Sequence, residues 1–302
     1  MKAVVLHEYG GPEKLKYEDW QDPRGGDDEI VIRVTAAGLN PIDWKIRSGM
    51  MKTFMPLELP NILGYDYSGV VHSAGKRVKG YAEGDKVFGR ASKAYAEYLL
   101  ADLAGLSRIP VGLDHIEAAA LPVVLNTGEQ LVNQVGRVRS GQRVIITGAL
   151  GSVGRTAVWV AKKLGAHVTA GVRSTQKVAA EELGADAVLA LDSRDELDSL
   201  GLVDVVADTI GGAVGNALLA KVAPGGTYAS VVGPPTDGKL YPNIRVEAFG
   251  SHPDAASMHS LAEDIVKGKF KIPVERKYPL AEAAKAHAEA EKGGVGKVLL
   301  LA

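Results

Sequence analysis

The stretch from Arg143 to Val172 constrains the fold more than any other. Arg143-Val144-Ile145-Ile146-Thr147 is β-branched after its first residue, as a strand buried on both faces must be. Gly148-Ala149-Leu150-Gly151-Ser152-Val153-Gly154 follows, then a helix-spaced run from Ser152 to Leu164, the turn Leu164-Gly165-Ala166, and a second strand from His167 to Val172. Strand, tight turn, helix and strand in that order make a βαβ unit, whose strands must run parallel because the helix carries the chain back. The alternation continues through a helix from Thr175 to Leu183, then Ala187 to Leu191, Val203 to Asp208, Gly215 to Val222, Gly226 to Val232 and Arg245 to Gly250. The count gives six strands of a doubly wound sheet and an α/β fold class.

The turn itself points to a ligand. Ala149, Gly151 and Gly154 stand in the spacing of a dinucleotide fingerprint whose first glycine is alanine. Gly151 lets backbone N–H groups approach a pyrophosphate, Gly154 lets the helix pack closely on the sheet, and the helix N-terminus stabilises the anion. The whole run Gly148, Ala149, Leu150, Gly151, Ser152, Val153, Gly154 is therefore expected to hold the pyrophosphate. A cofactor with a free ribose calls for Asp or Glu after the second strand. This chain has Arg173 and Ser174 there, with Lys177 one helical turn on, a set that suits the 2′-phosphate of NADPH. Ile210, the Val231-Val232-Gly233 run and Phe249 with Ser251 lie at later strand ends, where a dinucleotide crosses an open sheet.

The first third reads differently. Ala3 to His7, Glu29 to Ala36, Ser68 to Ala74, Asp85 to Gly89 and Ala96 to Leu100 are short strand-like runs between turn signals, which suggests an antiparallel, barrel-like unit. After a helix-spaced segment from Met258 to Lys267 come an alanine-rich helix from Ala281 to Lys292 and a strand from Lys297 to Leu301. So short a tail must dock, and the first unit is the economical place. The expected division is a catalytic domain over 1–121, a nucleotide-binding domain over 122–262, and a segment over 263–302 returning to the first.

Composition removes several alternatives. A net charge of −1, with 35 Lys and Arg dispersed along the chain, gives no electrostatic case for nucleic acid or membrane, so small molecules are the expected partners. No apolar run reaches the roughly 18 residues of a membrane span, and the N-terminal residues read as a strand instead of a targeting segment. Zero cysteines exclude disulfides, thiol nucleophiles and cysteine-ligated metal, and fit a cytoplasmic setting. Seven scattered histidines lack metal-ligand spacing, so no metal site is expected.

Beyond these patterns, the chain resembles the zinc-free quinone oxidoreductase branch of the medium-chain dehydrogenase/reductases. The likeness rests on Ala37 to Gly49, Leu63 to Val71, Gly84 to Phe88, the fingerprint, Asp208 to Gly212, and Gly294-Val295-Gly296-Lys297-Val298. It implies a GroES-like, β-rich catalytic domain joined to a Rossmann domain, NADPH as cofactor, and a homodimer. Zinc alcohol dehydrogenases of the same superfamily carry a Cys ligand near the place of Asn40, and Gly-His-Glu where this chain has Gly64-Tyr65-Asp66. An aromatic residue common after the third Rossmann strand of the branch is here Leu191. The resemblance further implies a catalytic set of Asn40, Lys45, Tyr65 and Thr127, with Gly296 and Lys297 near the cofactor. The same residues admit plainer readings. Asn40 can cap the turn before Pro41, Asp43 can pair with Lys45 or Arg47, and Tyr65 can be half-buried packing.

Chemistry narrows the acceptor. Hydride transfer puts negative charge on the acceptor, and without a Lewis acid only hydrogen bonds remain to stabilise it. A quinone or an α,β-unsaturated carbonyl spreads that charge by conjugation, so a quinone is the leading expectation and an enone the close second. The methionine-rich loop Met50 to Pro56 is either a cover for substrate or a dimer contact. A reading from another class is an NADPH-binding sensor or structural protein without turnover.

Overall fold

The computed structural model describes residues 1–293 and 296–302. Gly294 and Val295, which belong to the run Gly294 to Val298, lie outside the described residues. The chain divides into two compact units. One comprises Met1–Val123, Pro253–Lys267 and Ile272–Ala302, the other Val124–His252 and Gly268–Lys271.

The first unit is built around the strand Ile30–Leu39, nearly all of which is buried. One edge pairs antiparallel with Asp66–Ala74. The other edge is shared, because Tyr98–Ala101 takes Ile30 to Arg33 while Lys297–Leu301 takes Ala36 to Leu39. The sheet continues through Lys86–Arg90 and Leu106–Arg108 on one side and through Val274–Pro279 on the other, and a three-stranded sheet of Leu15–Asp19, Lys2–Leu6 and Asn61–Ile62 completes the unit. Between them lies a core that includes Val4, Leu6, Ile30, Ile32, Val87, Leu99 and Leu300. Each such side chain contributes about 1.5–3 kcal/mol through burial.

Pro41–Arg47 forms a short helix, which the hydrophobic pattern does not announce because seven residues are too few to display a period. Pro41 supplies a fixed φ and no N–H at the first helical position, while the Asp43 carboxylate accepts the Asn40 N–H at 2.7 Å.

The second unit holds six parallel strands in the order Ala187–Ala190, His167–Val172, Arg143–Thr147, Val203–Asp208, Val222–Ser230, Arg245–Ala248. The order reverses between Arg143–Thr147 and Val203–Asp208, and such switch points are where open α/β sheets take ligands. The expected helix from Thr175 to Leu183 is instead three short turns, Ser174–Gln176, Lys177–Ala180 and Glu181–Leu183, ending at Gly184 with φ +71°.

Pro253–Lys267 belongs to the first unit, whereas the sequence pattern places 122–262 in the nucleotide-binding domain. Met258, Leu261 and Ala262 are buried on the helix Ala255–Val266, and His259 Nδ1 meets Ser107 Oγ at 3.0 Å. Gly268–Lys271 returns to the second unit, where Phe270 stacks on Trp159 with ring centroids 5.9 Å apart. The loop Met50 to Pro56 projects Phe54, with 80% of its surface exposed.

Candidate active site

In the first unit, register brings three distant segments to one point. The helix start delivers Asn40, the strand Asp66–Ala74 delivers Asp66, and the pairing of Val298 with Leu39 delivers Lys297. Gly38 makes room, since a Cβ there would lie 2.9 Å from the Asp66 side chain and 2.5 Å from the Ala119 carbonyl. Lys297 Nζ donates to Asn40 Oδ1 at 2.6 Å and to Asp66 Oδ2 at 2.8 Å, and Asn40 Nδ2 donates to the same Asp66 oxygen at 2.8 Å. The second Asp66 oxygen accepts the Val123 N–H at 2.7 Å. All three side chains are buried. The ring of hydrogen bonds fixes the Asn40 amide, its oxygen toward the ammonium and its nitrogen toward the carboxylate.

A second buried carboxylate adjoins this ring. Asp43 Oδ2 accepts from the Asn40 N–H and from the Tyr95 hydroxyl at 2.8 Å, and its Oδ1 has no hydrogen-bond partner among the described residues. Burial pushes its pKa up to about 7, aided by the charge of Asp66, while the two hydrogen bonds and Lys297 oppose the rise. Asp43 thus pairs with neither Lys45 nor Arg47. Arg47 bonds Glu291 at 2.8 Å, and the Lys45 ammonium lies 5.7 Å from the Trp44 ring centroid.

Tyr65 is partly buried, with Arg90 5.9 Å from its ring centroid. Burial holds its phenol above the ordinary value, with a further rise from Asp43 and an opposing pull from Arg90. A phenol so held keeps its proton and acts as a donor. Gly296 packs against the Glu275 side chain just before Lys297.

In the second unit the glycine-rich turn has the geometry a pyrophosphate needs. Gly148 adopts φ +61°, and a Cβ on Gly154 would lie 2.2 Å from the Gly148 carbonyl oxygen, so this helix approaches the turn as only glycine permits. At Gly151 the nearest atom to an added Cβ is the Gly148 oxygen at 3.2 Å. Gly151 caps the helix Ser152–Lys163 without a side-chain hydrogen bond, which leaves the first-turn N–H groups of Ser152, Val153 and Gly154 for an anion. Ala149 is buried beneath the turn, and Leu150 offers its carbonyl to Arg155 Nε at 3.0 Å.

The later strand ends are tied together by Asp208, which is fully buried. Its Oδ1 accepts from Thr147 Oγ1 at 2.8 Å and from the N–H groups of Ile210 and Gly211, and its Oδ2 accepts from Ser230 Oγ. Ile210 and Val232 are exposed there, Val231 N–H donates to the Asp208 carbonyl, and Gly233 has φ +109°. Phe249 N–H donates to the Ser230 carbonyl, and Thr127 Oγ1 meets Ser251 Oγ at 2.8 Å. Thr127 thus anchors the segment that carries Ser251.

After the strand His167–Val172, Arg173 is exposed. Ser174 Oγ bonds Asp192 at 2.7 Å, and Lys177 Nζ bonds Glu196 at 2.9 Å. Sequence reasoning does not single out Asp66, Asp43, Asp192 or Asp208 as site residues. Their signal is present only as acids inside otherwise apolar or turn-forming runs, each needing a partner that tertiary structure alone supplies.

Comparison with known proteins bears on both units. Residues 26–111 match the family described as alcohol dehydrogenase GroES-like domain, and residues 183–300 match the family described as zinc-binding dehydrogenase. A quinone oxidoreductase of Pseudomonas aeruginosa is 30% identical over 99% of this chain and 99% of its own length. An NADPH-dependent alkenal/one oxidoreductase, chloroplastic, of Arabidopsis thaliana is 32% identical over 99% of this chain and 79% of its own. Among solved structures, the Escherichia coli quinone oxidoreductase complexed with NADPH superposes with a TM-score of 0.88 at 25% identity, covering all of both chains. No helix among the described residues is long and apolar enough to cross a membrane. With a GroES-like sheet unit, a parallel six-stranded unit with a dinucleotide turn, and end-to-end likeness to such enzymes, the chain is an oxidoreductase belonging to the quinone oxidoreductase branch of the medium-chain dehydrogenase/reductases.

Proposed function

We propose that this chain is an NADPH-dependent, zinc-independent reductase that transfers hydride to a conjugated acceptor, a quinone before an enone. The carrying observation is the buried ring of Asn40, Asp66 and Lys297. Where zinc relatives present sulfur, imidazole and a carboxylate, this chain presents an amide, a phenol and a carboxylate already neutralised by an ammonium at 2.8 Å. That donor set suits an oxyanion and not a divalent cation, whose charge Lys297 would oppose. Bound NADPH supplies the hydride. Ser152, Val153 and Gly154 hold its pyrophosphate, and Arg173, Ser174 and Lys177 face its 2′-phosphate. The Tyr65 phenol and the second N–H of the Asn40 amide are the donors that meet charge developing on the acceptor oxygen. Thr127 keeps the Ser251 segment in place beside the cofactor. Likeness to a quinone oxidoreductase bound to NADPH and to an alkenal/one oxidoreductase supports both acceptor classes. A homodimer in the cytoplasm completes the proposal, in line with the zero cysteines of the chain.

The test follows reduced-nicotinamide absorbance in metal-free buffer with quinones, enones and simple ketones. Turnover of the conjugated acceptors, undiminished by chelator and absent with simple ketones, is the expected result. Tight NADPH binding without oxidation by any acceptor, or activity restored only by zinc, overturns it.

A further inference from the structure

Two of the three side chains expected to hold a 2′-phosphate, Ser174 and Lys177, are already engaged. Asp192, one residue beyond the buried Leu191, accepts both the backbone N–H and the hydroxyl of Ser174 on its Oδ1, each at 2.7 Å. Lys177 is gripped by both Glu196 oxygens at 2.9 and 3.0 Å, and Glu196 is fixed in turn by the Ala190 N–H at 2.9 Å. Arg173 carries no ion pair among the described residues. Two cations therefore face two carboxylates, and the corner has no surplus positive charge for a dianion.

A phosphate and a carboxylate are both acceptors, so they compete for the same Ser174 N–H and O–H and repel each other. A ribose 2′-hydroxyl is a donor and has a use for the Asp192 carboxylate. The hydrogen bonds from Ser174 hold the Asp192 carboxyl below its ordinary value, so it is charged at neutral pH.

We propose that Asp192 is a specificity-determining residue, competing with the 2′-phosphate for Ser174 so that the chain uses NADH alongside NADPH. The inference rests on the cofactor assignment above and sharpens it. Arg173 draws the phosphate in, and Asp192 limits how far NADPH is preferred.

The experiment measures kcat/KM for NADPH and for NADH with one quinone in the wild type, Asp192→Asn and Arg173→Ala. Asparagine keeps an oxygen for the Ser174 N–H and removes the charge. Asp192→Asn is expected to raise the NADPH-to-NADH ratio about fivefold, chiefly by lowering KM for NADPH. A ratio that stays the same or falls overturns the role of Asp192. Arg173→Ala is expected to lower the ratio, and if it does not, the assignment of the phosphate to Arg173 fails whatever Asp192 does. Dissociation constants from tryptophan fluorescence give the same ratio without turnover, so a slow variant still decides the matter.

Discussion

The Lys297 ammonium stands 2.8 Å from the Asp66 carboxylate across 231 residues of sequence, with 3% and 0% of the two side chains exposed. Removing one partner strands a buried charge, whereas removing both does not. Lys297→Met is therefore expected to cost about 3–5 kcal/mol, and Lys297→Met with Asp66→Asn to recover at least half. Urea denaturation of the two single variants and the double variant measures this, and additive losses would mean the pair is not coupled.

Tyr65 is a phenol held in its protonated form beside Arg90. If it gives the proton that an enolate needs, Tyr65→Phe slows enone reduction about 100-fold. Quinone turnover should fall less, because it loses only the hydrogen bond to the acceptor oxygen while the hydroquinone oxygens take protons from water. Equal losses on both substrates would remove Tyr65 from the proton-transfer step.

The contact between Gly154 and the Gly148 carbonyl leaves no space for a methyl group. Gly154→Ala should lower stability by about 1–3 kcal/mol and weaken NADPH binding about tenfold, since the pyrophosphate turn must move. Fluorescence titration with NADPH checks the second effect, and wild-type affinity would show that the turn tolerates displacement.

Arg173 is expected to act on one cofactor only. Arg173→Ala should raise KM for NADPH about tenfold through loss of a charge-assisted pair, while KM for NADH stays within about twofold. Initial rates against both cofactors decide it.

Asp43 makes stability depend on pH. Its folded pKa of about 7 lies above the ordinary value of 3.8, so between these values the unfolded chain has lost a proton that the folded chain keeps. The favourable contribution is whole below about pH 4 and is lost as pH rises through about 7. Asp43→Asn should flatten this decline, and each kcal/mol retained at pH 8 appears as roughly 2–4 °C in Tm. Scanning calorimetry from pH 5 to pH 8 reads the slope. A variant with the wild-type slope would assign the dependence elsewhere.

Much of the second unit is legible in the order of its amino acids, because one-dimensional signals set it. Arg143–Thr147 and His167–Val172 are found where their β-rich runs lie, with the glycine turn and the helix Ser152–Lys163 between them. The first unit is harder to read. Leu15–Asp19 and Asn61–Ile62 are strands only because Lys2–Leu6 lies between them. The site divides in the same way. Motifs single out Asn40 and Tyr65, but they assign Lys297 to the cofactor, and no local pattern tells that its ammonium is spent on Asp66 and Asn40. Ser174 and Lys177 stand out as close neighbours in sequence, while the acids that engage them lie 18 and 19 residues downstream.

The shared edge of Ile30–Leu39 has a bearing on the order of assembly. A ribosome makes Asn40 and Asp66 long before Lys297, which is 257 positions after Asn40. Until that late strand emerges, Asp66 lacks its Lys297 partner and Ala36 to Leu39 have an open edge. Residues 143–248, whose neighbouring strands are close in sequence, have every partner in hand earlier. The nascent chain is therefore expected to close its parallel sheet first and the Asn40, Asp66 and Lys297 corner last, leaving that corner exposed for longest during synthesis.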